Sequence, residues 1–256
     1  MKSLLRPILL AILLLSGPFA RASLLSSISY FSCGTACPTV VNSTAQDSSA
    51  LSFSDQYGSI FAQAAYGMLK ASVDSSYVSA PGGSFISIST GSSLAQFSDT
   101  FILGGLSGPQ EVTVVLHFDG SLGSAGEETL GTSASMTIAL TVDGNYIALA
   151  ADWFGNLPEP LASASGTGLS GTFTLDYGVP ISLEALLQVS GTFGGYAHFG
   201  NTATLEFIVP EGTTIQSGSG TEYLATTVAI AAPATSALLL LGLAALAAVH
   251  HRYRRS

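Results

Sequence analysis

Glu111-Val112-Thr113-Val114-Val115-Leu116-His117-Phe118-Asp119 decides the fold class. Val112, Val114, Leu116 and Phe118 fall on one face of an extended chain, and Glu111, Thr113, Val115 and His117 on the other. Alternation with period two belongs to a half-buried strand. Asp119-Gly120 then supplies a turn. Ser133 to Val142 repeats the pattern, and Asp143-Gly144 ends it. With Tyr146, Ala148 and Ala150 behind it, that pair predicts a hairpin. Further strands are predicted at Ser84 to Ser89, Gln96 to Leu103, Thr172 to Tyr177, Ile181 to Val189 and Ala203 to Val209. Ser59 to Val73 reads two ways. Ile60, Ala64, Met68 and Leu69 have a helical spacing, while period-two alternation fits equally. Strands are preferred, because an isolated helix would interrupt an otherwise β chain. Glu184 and Gln188 leave the Ile181 stretch similarly open. Strands at this spacing, with Gly-rich turns, predict an all-β fold: an antiparallel β-sandwich or a jelly-roll-like domain.

The chain has 256 residues, 47% of them hydrophobic, which is enough to bury a sizeable core. The ends set aside, roughly 200 residues remain, the size of one large β domain, with two small ones as the less favoured alternative. Charged residues make up 9%, too few for a disordered chain rich in β-branched and aromatic residues. The net charge of -9 is unevenly spread. All 16 acids lie between Asp47 and Glu222, with Lys70 the one basic residue among them, so the middle carries 1 − 16 = -15. Such a body repels phosphate backbones and anionic surfaces, which argues against nucleic acid as a partner. The acids serve either to bind cations or to keep a Ser/Gly-rich surface soluble, and the second reading is preferred.

Both ends look like export signals. Lys2 and Arg6 precede an apolar stretch from Pro7 to Leu15, the length of a signal h-region. Ser16-Gly17-Pro18 breaks it, and Ala20-Arg21-Ala22 gives the small-x-small pattern read by signal peptidase. The mature chain is therefore predicted to begin near Ser23, an uncleaved anchor being the alternative. Val228 to Val249 is almost wholly apolar and about the length of a bilayer-spanning helix. His250-His251-Arg252-Tyr253-Arg254-Arg255 follows as a basic stop, expected to stay on the cytoplasmic side. A basic terminus fits a GPI signal poorly. The predicted organisation is a signal peptide over 1–22, a β-rich extracytoplasmic domain over 23–227, and a C-terminal sorting or transmembrane helix with a basic tail over 228–256.

Pro233, Ala234 and Thr235, the Leu/Ala/Gly-rich run and the cluster Arg252, Arg254 and Arg255 resemble the PEP-CTERM sorting signal of Gram-negative bacteria. The likeness covers residues 231–256. The family's Pro-Glu-Pro falls on Ala231-Ala232-Pro233, so only Pro233 matches, and Ala234-Thr235 agree with a common continuation. A literal Pro158-Glu159-Pro160 occurs upstream with no apolar helix after it and reads as a loop. Tyr57-Gly58-Ser59, Phe97-Ser98-Asp99-Thr100-Phe101, His117-Phe118-Asp119-Gly120-Ser121-Leu122 and Asn201-Thr202-Ala203-Thr204-Leu205 resemble strand-and-turn segments of secreted members. The resemblance implies an exosortase-type enzyme as processing partner, transient membrane insertion of the tail, and a place in exopolysaccharide or biofilm layers.

Candidate sites are few. Cys33 and Cys37 are the only cysteines; their spacing suits neither a redox C-x-x-C nor a haem site, and a local disulfide is predicted for an oxidising compartment. A turn through Gly34 is expected to be able to bring the Cα atoms within the roughly 4.4–6.8 Å that a bridge requires. His117 and His198 read as surface or structural histidines, and no G-x-S-x-G elbow accompanies them. Glu127-Glu128 are adjacent residues in a Gly-rich stretch, unlike a pair facing each other across a glycosidase cleft. Asp119, Glu127, Glu128 and Asp143 cluster around turns, which makes calcium the ligand they suit best, without an assigned site. Trp153-Phe154 beside Asp152 reads as core, with a sugar-stacking platform as the alternative. No catalytic or cofactor site is predicted. The expected role is that of an exported, non-enzymatic envelope or matrix protein, structural or adhesive within extracellular polysaccharide. The rival reading is a carbohydrate-binding module or a degenerate polysaccharide-acting enzyme on the same β scaffold.

Overall fold

The computed structural model describes residues 22–33, 39–79, 85–124, 132–154 and 168–229. The chain starts with β1 (Ser23–Cys33) and β2 (Thr39–Ala45), followed by the meander β3 (Leu51–Asp55), β4 (Gly58–Ala65) and β5 (Met68–Ser75). The short β6 (Tyr77–Ser79) leads into β7 (Phe85–Gly104), a strand of 20 residues. Then come β8 (Pro109–His117), β9 (Ser121–Ser124), β10 (Ser133–Val142), β11 (Asn145–Phe154) and β12 (Leu169–Asp176). Four more complete the described chain: β13 (Pro180–Thr192), β14 (Gly195–Pro210), β15 (Thr214–Ser217) and β16 (Leu224–Val228).

These strands form two sheets. The first has the order β11-β10-β13-β7-β1-β2, with β6 and β15 also paired to β7. The second has the order β12-β8-β14-β5-β4-β3, with β9 and β16 also paired to β14. Pairing is antiparallel except between β14 and β16, which run parallel. The inward residues of both sheets share one apolar core, so the fold is an all-β sandwich. Phe101 of β7 meets Phe207 of β14 across the layers with ring centroids 4.9 Å apart. Farther along β7 the sheets approach closely. Gly91 pairs with Gly191 of β13, and a Cβ built on either would lie 3.1 Å from Val73 Cγ1 of β5. Val73 thus fills a hollow that only two bare backbones leave open.

Several sequence expectations are met. β8 and β10 bury Val112, Val114 and Leu116, and Met136, Ile138 and Leu140, on the predicted face. Asp143 (φ 49) and Gly144 (φ 76) form the two-residue loop of the β10–β11 hairpin. Positive φ at both central positions is the type I′ geometry that matches the right-handed twist of the strands. Ser59 to Val73 is the β4–β5 hairpin, with Ile60, Ala62 and Ala64 buried, then Leu69, Ala71 and Val73. The Tyr66-Gly67 loop switches the inward set from even to odd numbers, and that switch produced the helical spacing. The two strands predicted at Ser84 to Ser89 and Gln96 to Leu103 are one, β7. Sequence periodicity missed β1, β2 and β3 and the short β6, β9, β15 and β16.

No helix among the described residues is long and apolar enough to cross a membrane. The apolar segment predicted to do so lies outside the described residues except at its start, where Val228 ends β16 and Ala229 follows. The signal segment 1–21 also lies outside them.

Candidate functional site

A groove of about 630 Å³ opens where β1 begins. Ala22, Ser23, Leu24 and Leu25 form one wall, Gln46, Asp47 and Ser48 of the β2–β3 turn another, and Tyr66 and Gln96 complete it. Each comes from a different local structure. Asp47 Oδ1 accepts the Ser49 amide at 2.8 Å, the self-bonding turn that aspartate favours. Hydrogen bonds from the Ser49 side chain and backbone hold the Asp47 carboxyl below its ordinary range. Tyr66 is set by the β4–β5 loop and leans edge-on against Phe97, with centroids 6.5 Å apart. Burial pushes the Tyr66 phenol up, and the Asp99 charge adds to the shift. Gln96 points outward from β7 and donates Nε2 to Glu184 Oε1 at 2.5 Å, while Ser23 and Ser98 share a hydroxyl bond of 2.7 Å. The lining therefore offers amides, hydroxyls, a phenol and one carboxylate beside two leucines.

Two carboxylates gather hydrogen-bond donors elsewhere, Asp99 buried within reach of Tyr66 and Asp55 half-buried at the β3–β4 turn. Asp99 is 2% exposed and accepts four hydrogen bonds, from Thr100 N, Ser219 N, Ser219 Oγ and Tyr223 OH, at 2.8, 3.0, 2.6 and 2.6 Å. It ties down the segment that crosses from β15 to β16. Asp55 accepts from Tyr30 OH at 2.9 Å, Ser32 Oγ at 2.6 Å and Tyr57 N at 2.8 Å. Burial works against the Asp55 charge, but these bonds prevail and hold its carboxyl below the usual value.

On the outer face of the second sheet, two histidines meet carboxylates. His117 Nε2 lies 2.6 Å from Glu206 Oε2, and Thr226 of β16 donates to Glu206 Oε1 at 2.5 Å. The bond from Thr226, followed by that from His117, keeps Glu206 below its ordinary range. His198 Nε2 lies 2.5 Å from Asp74 Oδ1 and stacks on Tyr196. Ser59 Oγ donates to the other Asp74 oxygen at 2.9 Å. The carboxylate thus stands between hydroxyl and imidazole. A serine is activated when the imidazole itself receives its proton, and the described bonds of Ser59 do not have that arrangement.

Of the other sequence candidates, Ser23 opens β1 beside Ala22, and Ala20 lies outside the described residues. Cys33 ends β1 and is disulfide-bonded, while Cys37 lies outside. Asp119 follows β8 and Asp143 sits in the β10–β11 loop, on different sheets, and Glu127 and Glu128 lie outside. No three His, Cys, Asp or Glu side chains among the described residues gather as metal ligands. Trp153 and Phe154 end β11 opposite Ala134 and Ser133. Pro233, Ala234, Thr235, Arg252, Arg254 and Arg255 lie outside the described residues. The groove residues Gln46, Asp47, Ser48, Tyr66 and Gln96 were not foreseen. Asp99 carried a usable signal: it shares parity with Phe97 and Phe101 along one strand, so it faces the core with them. No protein-family model matches the chain, and no curated protein matches it either.

Proposed function

We propose that the chain is an exported, non-catalytic protein of the cell envelope or extracellular matrix that holds neutral polysaccharide in the groove at the start of β1. One observation carries this reading: the groove offers mostly uncharged hydrogen-bonding groups beside Leu24 and Leu25, in a body whose charge between Asp47 and Glu222 is -15. Sugar hydroxyls donate and accept as amides do, and an anionic polymer is repelled. The exported protein is expected to bind neutral glucans and not alginate. Gln96→Ala removes a lining amide without disturbing the core, and is expected to weaken binding about tenfold, the equivalent of about 1.4 kcal/mol. Retention of alginate in preference to neutral glycans, or binding untouched by Gln96→Ala, would overturn the reading.

Sorting through the two ends belongs to the same proposal, with signal peptidase and an exosortase-type enzyme as transient partners. It is supported by the charge pattern: six of the seven basic residues lie in the terminal segments. Intact-mass spectrometry of the exported protein is expected to show a chain that begins at Ser23 and ends near Pro233. With Cys33 and Cys37 bonded to each other, its mass is also that of the chain less two hydrogens. A chain still carrying residues 250–256 would make it a single-pass membrane protein instead.

A further inference from the structure

Sheet edges are where a β protein meets other chains, because their backbone groups lack a neighbour. Of the outer strands of the two sheets, β3 has five residues, β2 seven and β12 eight, while β11 has ten. Among the described residues β11 pairs with β10 alone. The pair next to a two-residue loop, Val142 and Asn145, is hydrogen-bonded, and bonded pairs alternate along the hairpin. Ile147, Leu149 and Ala151 therefore turn their backbone groups toward β10. Tyr146, Ala148, Ala150 and Asp152 turn theirs toward the open side. The strand also exposes apolar surface, with Tyr146 at 65% and Leu149 at 40%. It contains no proline, and Asp152 is its one charged residue.

We propose that β11 pairs with β11 of a second copy, antiparallel about a two-fold axis through Leu149, joining the two first sheets into one. The self-complementary sequence of β11 selects this occupant and this register. Two bodies carrying -15 each repel one another over most of their surface, so a second copy is admitted only along a segment nearly free of charge. With Leu149 opposite its counterpart, Ala148 faces Ala150 and Tyr146 faces Asp152. No like charges are opposed, and a phenol meets the carboxylate of the other chain. All four outward-turned residues fall into hydrogen-bonded pairs, giving about eight backbone bonds across the axis, two for each of the four pairs. The two Leu149 side chains meet at the closely spaced, non-bonded position, on the same face as Ile147 and Ala151, which pack against the core.

Sedimentation velocity of the exported protein tests this. A dimer is expected at tens of micromolar, and its fraction is expected to rise with salt as repulsion between the acidic bodies is screened. Ala148→Pro removes an outward amide that β10 does not use, a substitution edge strands accept. It is expected to give monomers with an unchanged β-sheet circular dichroism spectrum. Leu149→Cys is expected to yield a covalent dimer on oxidation, which reads the register directly and does not depend on the proline variant folding. A wild-type protein that is monomeric at every concentration overturns the proposal. So does a dimer that persists in Ala148→Pro, or one in which Leu149→Cys fails to cross-link.

Discussion

Replacing Asp99 with alanine is expected to lower the unfolding free energy by about 3–5 kcal/mol, because several buried neutral donors lose their charged acceptor at once. The carboxylate is 2% exposed and satisfies four donors. Its removal leaves the Ser219 amide and hydroxyl, the Tyr223 phenol and the Thr100 amide without their acceptor. The loss extends beyond one site. Ser219 and Tyr223 belong to the crossing between β15 and β16, and Tyr223 also packs on Phe207, with centroids 5.5 Å apart. The last strand should therefore loosen with the carboxylate gone. Ser219→Ala removes one donor and keeps the acceptor, and its expected cost is about 1 kcal/mol. Urea unfolding of the three proteins makes the comparison, and a loss below 1 kcal/mol in Asp99→Ala would contradict the assignment.

The second large effect lies in alkali. Burial, reinforced by the hydrogen bond to Asp55 and the charge of Asp55, pushes the Tyr30 phenol up to about 12. Burial and the neighbouring Asp99 push Tyr223 higher still. A phenol raised in the folded state keeps its proton while the unfolded chain releases it near pH 10. The stabilisation is thus complete below pH 10 and is lost as pH climbs toward 12. Tyr30 is 1% exposed and sets a mean slope of about 1 kcal/mol per pH unit. Tyr223 is only half-buried, and solvent screening reduces its share. The unfolding free energy is expected to fall between pH 10 and 11.5 by roughly 1 to 2 kcal/mol per unit. Tyr30→Phe should remove at least half of that slope. A flat profile over this interval would show that neither phenol is held as described.

How far the fold could be read depended on what occupies the inward positions. β8 and β10 carry aliphatic residues there, so their alternation is plain: Val112, Val114 and Leu116; Met136, Ile138 and Leu140; β13 buries Ile181, Leu183, Ala185, Leu187 and Val189, and only its outward Glu184 and Gln188 left it open in the sequence. β1 is different. Its inward set is Ser26, Ile28, Tyr30 and Ser32, and the serines are buried because each has a partner. Ser26 Oγ accepts the Ala64 amide at 2.9 Å, and Ser32 Oγ donates to Asp55. A buried hydroxyl with its bond made is as much core as an alanine, yet in the sequence it looks like surface. β7 was split for the same reason, since Gly91 and Ser93 hold inward positions in its middle. The groove was illegible for a different reason. Its walls come from the start of β1, two turns and the centre of β7, and nothing local links Gln46 to Gln96. Ala22 and Ser23 were noticed as a cleavage junction, and their place in the groove follows only from the β1–β7 register, Ser23 beside Ser98.

Strand order also fixes when this domain can become a domain. β13 stands between β10 and β7 in one sheet, and β14 between β8 and β5 in the other. Both lie late in the chain and central in the sandwich. Until residues 180–210 are present, β10 and β11 make a lone hairpin and β3 to β5 a lone meander, with no strand to join them to the rest. Hairpins of that size are marginal in water, and closing such distant pairs is slow. A chain emerging from the ribosome therefore completes neither sheet until these strands are made, whatever its first half has already formed. The export proposed above calls for an unfolded chain, and this strand order delays closure of both sheets until β13 and β14 are made.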